Sequence, residues 1–443
     1  MQRVALSLFA ATAMLLGSAA SNAEDLLDIY RDATQNDPQL RAAEAANRAV
    51  QQTRAQSRAP LLPQVNFSAN ITQNSQEVTE SNSPLFSPTG ETDYISQGYT
   101  LSLRQSLYHH DYYVQLRQTD ANIARADAEY EAIRQATILR AAEAYFNLLA
   151  AQDNLATAEA SKRAISQQLR QTQQRFEVGL SAITDVHEAQ AGYDAAVAAE
   201  LAAKNQLDVA RENLRAIIGR EPVSLATLQE ELPLLAPEPE NIDEWVATAQ
   251  QQNLALLAAE SASRVASEEV SRRKAGHYPT LDLFANLNHS DTTDYDARGN
   301  KTDSSQLGVQ LNVPIYSGGL TTAQTREARE LYTQATENLE QQRRTTVRDT
   351  RSAYLAVTTG ISQVKARQQA LSSAQTALEA TQAGFEVGTR TAVDVLNAQQ
   401  VRYQAQSEYF RARYDYILAT LQLKQAAGSL SEADLAEVNN WLE

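Results

Sequence analysis

The chain has 443 residues, 38 basic and 54 acidic, for a formal net charge of −16, and it contains no cysteine. That balance excludes a surface that tracks nucleic-acid phosphates, which needs clustered Lys and Arg. The lack of cysteine removes disulfides, thiolate nucleophiles and Cys-based zinc sites together. After the first segment, no stretch approaches the roughly 18 consecutive apolar residues of a spanning helix.

Met1–Ala23 carries Arg3, an apolar run from Val4 to Leu16 and a small-residue end, Ser21-Asn22-Ala23. This is the anatomy of a secretory signal, with cleavage expected before Glu24 and export from the cytoplasm. A half-length helix is predicted over Pro38–Ala59. Val65, Phe67, Ala69 and Ile71 alternate with polar neighbours, as do Tyr99, Leu101 and Leu103, and each run reads as a strand. Gln73–Asp93 between them reads as an exposed loop. His109-His110-Asp111 follows the second strand and is taken as interfacial rather than ligating.

Proline-free, helix-favouring sequence then predicts a long helix over Asp111–Phe176 and a shorter return over Thr184–Gly219. Glu221–Glu240 holds four prolines and reads as a connector. Two further strands follow, through Leu281, Leu283, Ala285 and Leu287 and through Leu307, Val309, Leu311, Val313 and Ile315. The intervening Asn288–Gln306 is expected as a loop. Its Asp294–Gly299 stretch is only faintly like a calcium loop, because Arg298 occupies a ligand position. A second long helix, Thr321–Phe385, carries the heptad ladder Val357, Val364, Leu371, Leu378 and Phe385, the period of a helix packed along a neighbour.

The chain repeats itself. Arg175-Phe-Glu-Val-Gly179 matches Gly384-Phe-Glu-Val-Gly388, and the same offset carries Tyr145 onto Tyr354 and Leu155 onto Val364. In the first copy Lys162 interrupts the heptad row. The expected division is a signal peptide (1–23), a first repeat (24–220), a connector or equatorial segment (221–252), a second repeat (253–430) and a C-terminal equatorial tail (431–443). Alternation over about nine to eleven residues fits strands with lipid on one face and water on the other. Tyr94, Tyr108, Tyr278 and Tyr316 lie near their ends, where interfacial aromatics belong. Four strands cannot close a barrel, and an open edge is not tolerated in lipid. Each chain is therefore expected to supply one part of a shared barrel.

No enzyme chemistry emerges. His187-Glu188 begins like a zinc-protease motif, but Ala191 stands where the second histidine belongs. There is no phosphate loop and no nucleophile elbow, and no cofactor or metal is expected.

The quoted segments, with Glu24-Asp-Leu-Leu-Asp-Ile-Tyr30, Ser57-Arg-Ala-Pro-Leu-Leu-Pro-Gln64, Ala144-Tyr-Phe-Asn147, Ala182-Ile-Thr-Asp-Val186, Pro314-Ile-Tyr-Ser-Gly-Gly319 and Val387-Gly-Thr-Arg-Thr391, resemble the TolC family of outer-membrane channels over essentially the whole mature chain. The resemblance implies a mainly α fold with a small β part. It implies a homotrimer whose 12-stranded outer-membrane barrel, four strands per chain, continues as a periplasmic α-helical coiled-coil tunnel. Such a channel serves as the exit duct of tripartite efflux pumps and type I secretion systems. Its implied partners are outer-membrane lipid, a periplasmic adaptor (membrane fusion) protein and an inner-membrane pump.

The family's periplasmic gate falls on Asp185, Arg390 and Thr184, with Phe385 where the reference gate has a tyrosine, so that hydroxyl's hydrogen bond is expected to be missing. Its selectivity constriction falls on Asp394 and Asn397, one carboxylate where the pattern has two. Adaptor docking falls near Gly179 and Gly388. The alternative from another class is a coiled-coil envelope scaffold or adhesin with a membrane anchor and no pore.

Overall fold

The computed structural model describes residues 23–80, 89–294 and 299–443. Met1–Asn22 of the secretory segment and residues 295–298 of the stretch like a calcium loop lie outside them. The first half of the chain runs α1 (Leu26–Asn36), α2 (Pro38–Arg58), β1 (Gln64–Val78), β2 (Gly90–Tyr108), α3 (His110–Glu177) and α4 (Ile183–Ile218). The second runs α5 (Ile242–Gln252), α6 (Leu254–Lys274), β3 (Thr280–Asp294), β4 (Asn300–Asn312), α7 (Leu320–Glu386), α8 (Ala392–Ala427) and α9 (Glu432–Asn439). The halves match in length as well as order. α2 and α6 have 21 residues each, α3 and α7 have 68 and 67, and α4 and α8 have 36 each. At about 1.5 Å per residue, α3 and α7 are each roughly 100 Å long. No helix among the described residues is long and apolar enough to cross a membrane.

Local sequence sets these boundaries. Asp37 caps α2 by accepting a hydrogen bond from the Gln39 amide at 3.1 Å, and Pro38 occupies the first helical position, where no amide is needed. Asn253 does the same for α6, accepting from the Leu256 amide at 3.0 Å. α4 and α8 end at Gly219 and Gly428, both left-handed at φ +76 and +80. At Gly428 a Cβ would stand 2.2 Å from the Gln252 carbonyl oxygen, so no other residue fits.

The strands form one antiparallel sheet in the order β1-β2-β3-β4, leaving β1 and β4 unpaired on their outer edges within the chain. They are longer than expected, at 15, 19, 15 and 13 residues; they reach into Gln73–Asp93, whose residues 81–88 lie outside the described residues, and take up most of Asn288–Gln306, both read as loops. Those segments pair despite their polarity because a ladder is held by backbone bonds and extends beyond any apolar face. β4 is shorter at the other end. It stops at Asn312, before Val313 and Ile315, because Pro314 offers no amide to a ladder.

The core sits at the middle of the long helices, not at the sheet. Tyr145, Phe146, Leu148 and Leu149 of α3 pack with Tyr416, Ile417 and Leu421 of α8, with Leu26 and Ile29 of α1 and with Leu435 and Val438 of α9. Three remote parts of the chain are joined there. Ala226 donates its amide to Glu24 at 3.0 Å, and Thr227 and Glu443 exchange two backbone bonds at 2.9 and 2.8 Å. The Tyr145 hydroxyl, fully buried, donates to the Ala226 carbonyl at 2.7 Å. α1, α5 and α9 were not anticipated as helices; each is short and packs against this belt.

Away from the belt the helices meet along narrow seams. Of the ladder, Val357 and Val364 belong to the belt's core and Leu378 is buried beyond it. Lys162, the interruption in the first copy, reaches Glu200 of α4, which also holds Lys204 at 3.2 Å. The break in the heptads is thus a paired charge. Replacing Tyr145 by Phe should cost about 1–2 kcal/mol, since the buried Ala226 carbonyl loses its donor. A lowered denaturation midpoint at unchanged far-ultraviolet dichroism would register it.

Candidate functional site

The sequence singled out the ends of the long helices, where α3 turns into α4 and α7 into α8. The two turns are built alike. Gly179 and Gly388 have φ +79 and +80, and a Cβ at either would meet nothing within 4 Å. Backbone conformation, not crowding, therefore demands glycine. Leu180 donates its amide to Arg175 at 2.7 Å, and Thr389 donates to Gly384 at 2.8 Å, so each turn closes the last carbonyls of its helix.

The helix starts differ. At α8, Thr391 Oγ1 accepts from the Asp394 amide at 3.2 Å, while the Asp394 carboxylate accepts from the Thr391 amide and hydroxyl, both at 2.9 Å. This is a complete capping box. At α4 the cap is Ala182, which has no side-chain acceptor. Only half the box survives there, the Ala182 amide donating to Asp185 at 3.3 Å. The Thr391 amide, then its hydroxyl, and the nearby Arg390 charge hold the Asp394 carboxyl below its ordinary pKa. Asn397 lies one turn further along α8 and is exposed, and Thr184 is exposed in the first turn of α4.

Among the described residues, Arg390 and Asp185 make no ion pair with each other within the chain. Arg390 lies along the α7 terminus, where a Cβ on Gly384 would come within 2.8 Å of its Cγ. Phe385 is occupied by a residue that sequence reasoning missed. The Arg175 guanidinium lies 4.5 Å from the centre of its ring, a cation–π contact between the tips of α3 and α7. Arg175 stands beside the duplicated Phe-Glu-Val-Gly words, and glycine takes its place in the second copy. That divergence was its only signal. Between the tips runs a groove of about 660 Å³ lined by Gln168, Arg175, Phe385 and Gln399 among others. Gln168 Nε2 and Gln399 Oε1 are buried there without a protein partner.

A second polar cluster lies where the strands meet the helices. Asp282 of β3 receives hydrogen bonds from Arg104 at 3.2 Å and Ser106 at 3.3 Å and contacts His109 Nε2 at 3.2 Å. His109 is buried and stacks on Tyr112 at 4.5 Å, so it clasps β2 to β3 instead of facing the interface. His110 meets Tyr278 edge-on at 4.9 Å.

The opposite faces of the sheet separate chemistry cleanly. The pairs Val65–Leu103, Phe67–Leu101, Leu101–Leu287, Leu283–Val309 and Leu281–Leu311 put one apolar set on one side. Val65, Phe67, Leu307 and Leu311 on that side are each more than 60% exposed. Asn66, Asn70, Ser102, Asn286 and Gln310 line the other.

The family model described as outer membrane efflux protein matches residues 29–220 and 245–429. The chain is 42% identical to the outer membrane protein TolC of Vibrio cholerae over 99% of its own length and 98% of that protein's. It is 33% identical to the alkaline protease secretion protein AprF of Pseudomonas aeruginosa, over 98% and 90% of the two chains. The Campylobacter jejuni CmeC outer membrane channel superposes with a TM-score of 0.78 at 18% identity, over 95% and 90% of the chains, a likeness of fold. With its apolar sheet face, its helices of nearly 70 residues and these matches, the chain belongs to the outer membrane efflux protein family, which are non-enzymatic transport channels of the outer membrane.

Proposed function

We propose that three copies of the chain close their sheets into one 12-stranded barrel in outer-membrane lipid, with the long helices forming a periplasmic tunnel beneath. The observation that carries this is the sheet itself: it offers lipid an apolar face yet leaves the edges of β1 and β4 unpaired. An unpaired strand edge cannot stand in hydrocarbon, so another chain must complete it. The matched halves support an origin by internal duplication, with domains at 24–220 and 253–430 joined by an equatorial connector, 221–252, and the tail 431–443. The duct serves efflux and type I secretion and opens when a periplasmic adaptor and an inner-membrane pump engage its tip. Gly179 and Gly388 offer bare backbone for the adaptor, and the unpaired amides in the groove between tips support docking there. The test is purified protein in planar bilayers: a trimer with discrete conductance steps is expected. A stable monomer, or a trimer that never conducts, would overturn the reading in favour of a poreless scaffold.

At the tip, Asp185 and Arg390, which make no ion pair among the described residues, can pair across hairpins of neighbouring subunits, with Thr184 alongside and Phe385 held by Arg175. A bidentate pair of this kind is specific yet weak enough to break on docking. Arg390→Ala should therefore raise single-channel conductance several-fold; an unchanged conductance would remove Arg390 from the gate.

Asp394 and Asn397 face the axis in this arrangement as one ring of carboxylates and one of amides. Asn397→Asp should strengthen cation preference and block by multivalent cations, measured as a shifted reversal potential in a KCl gradient. The capping box adds a pH dependence. Asp394 has a lowered pKa, so its charge persists below the ordinary carboxylate range and is lost only as pH falls through the depressed value. Thr391→Ala removes the hydroxyl donor and should move the loss of cation preference to higher pH. Titration curves that coincide would detach Asp394 from the constriction.

A further inference from the structure

We infer that Arg104 forms a positive collar inside the barrel base and tunes the channel's ion selectivity against the carboxylate ring at the far end of the tunnel. This rests on the trimeric barrel proposed above. On the polar face of the sheet, the even-numbered positions of Gln64–Val78, Tyr94–Ser106, Thr280–Thr292 and Asn300–Asn312 are almost all Asn, Gln, Ser, Thr or Gly. The charges of these segments otherwise fall on the apolar side's parity, at Glu77, Asp291, Lys301 and Asp303 for example. Within these segments only Arg104 and Asp282 place charge on the polar face; Asp294, at the far end of β3, shares their parity.

The two are not equivalent. The Asp282 side chain is 11% exposed, and its oxygens are occupied by Arg104, Ser106 and His109. The Arg104 side chain is 66% exposed and gives Asp282 a single bond at 3.2 Å. The carboxylate is covered by Arg104, Ser106 and His109, while the guanidinium remains largely exposed. Across a threefold axis this puts three guanidinium groups around a bore with no other fixed charge along those segments. An exposed charge acts over about 10 Å at 0.1 M salt and about 30 Å at 0.01 M. In a water-filled bore the exposed cation, not the covered anion, sets the field felt by a passing ion.

The measurement is the reversal potential across a planar bilayer in KCl gradients, in an Asp394→Asn background so that the carboxylate ring does not mask the barrel. Arg104→Gln should raise the K⁺/Cl⁻ permeability ratio about twofold or more at low salt, and the difference should vanish near 1 M KCl. Arg104→Lys should keep the parent ratio, and Asp282→Asn should lower it by freeing the guanidinium. Wild-type protein that is monomeric or never conducts would defeat the barrel reading. A conducting trimer whose ratio ignores Arg104→Gln overturns the collar alone. A variant that shifts the ratio equally at low and high salt marks a change of bore shape and overturns it too. If Arg104→Gln does not assemble, an Asp282→Asn channel with an unchanged ratio has the same force.

Discussion

The backbone of an edge strand in hydrocarbon is the constraint on which the rest depends. Each unsatisfied N–H or C=O there costs several kcal/mol, and β1 and β4 expose two rows of them. Side chains cannot relieve this, since an apolar face improves contact with lipid and does nothing for the edge. In the barrel proposed above, another chain completes the sheet. The same constraint also explains why the strands run on past their apolar stretch. Continuing the ladder into the polar Gln73–Val78 and Thr293–Asp294 segments satisfies backbone groups that would otherwise need solvent.

Beneath the sheet the problem reverses. Helices of nearly 70 residues satisfy their own backbones, but a seam one or two residues wide offers little area to bury. The chain concentrates its core at one level instead. There the large buried side chains gather, and strand-like bonds tie the mature N-terminus, the connector and the C-terminus. Away from that belt, packing is left to alanines, spaced single residues such as Leu169 and Leu378, and local pairs such as Lys162–Glu200. This distribution suits the gated tunnel proposed above, because local opening costs little where little apolar surface is buried.

Much of this was legible in the residues. Long helices announce themselves through proline-free, heptad-spaced sequence, and α7 begins and ends within one residue of the expected Thr321–Phe385. The duplicated glycine turns were equally plain, because a left-handed position leaves few residue choices. Strand lengths were underestimated, since alternation reports only the part with an oily side. α1, α5 and α9 escaped notice because each is about three turns or fewer and owes its stability to tertiary contacts. At the tip, the residues of interest were found but their partners were not. Asp185 and Asp394 each serve their own helix start, and Arg175 meets Phe385 across more than 200 residues of sequence, beyond the reach of any local pattern.

Divergence between the halves gives the tip its chemistry. Under the repeat offset, Ser181 corresponds to Arg390, Ala182 to Thr391 and Glu188 to Asn397, while Asp185 and Asp394 stay acidic. Six identical hairpins in a ring would carry the same charge on every facing surface, and like charges would meet at each boundary. In the proposed trimer, an arginine in one class of hairpin only lets each boundary join an Arg390 to an Asp185, while Asp394, bound by its own Thr391, is left out of that pair. The caps differ in the same sense: a complete capping box holds the Asp394 carboxylate by two bonds, whereas Asp185 keeps only the bond from the Ala182 amide and is the less constrained of the two. On the proposed trimeric reading, two matched halves give hairpins of one geometry, and a handful of unequal substitutions gives the two classes of hairpin different chemistry.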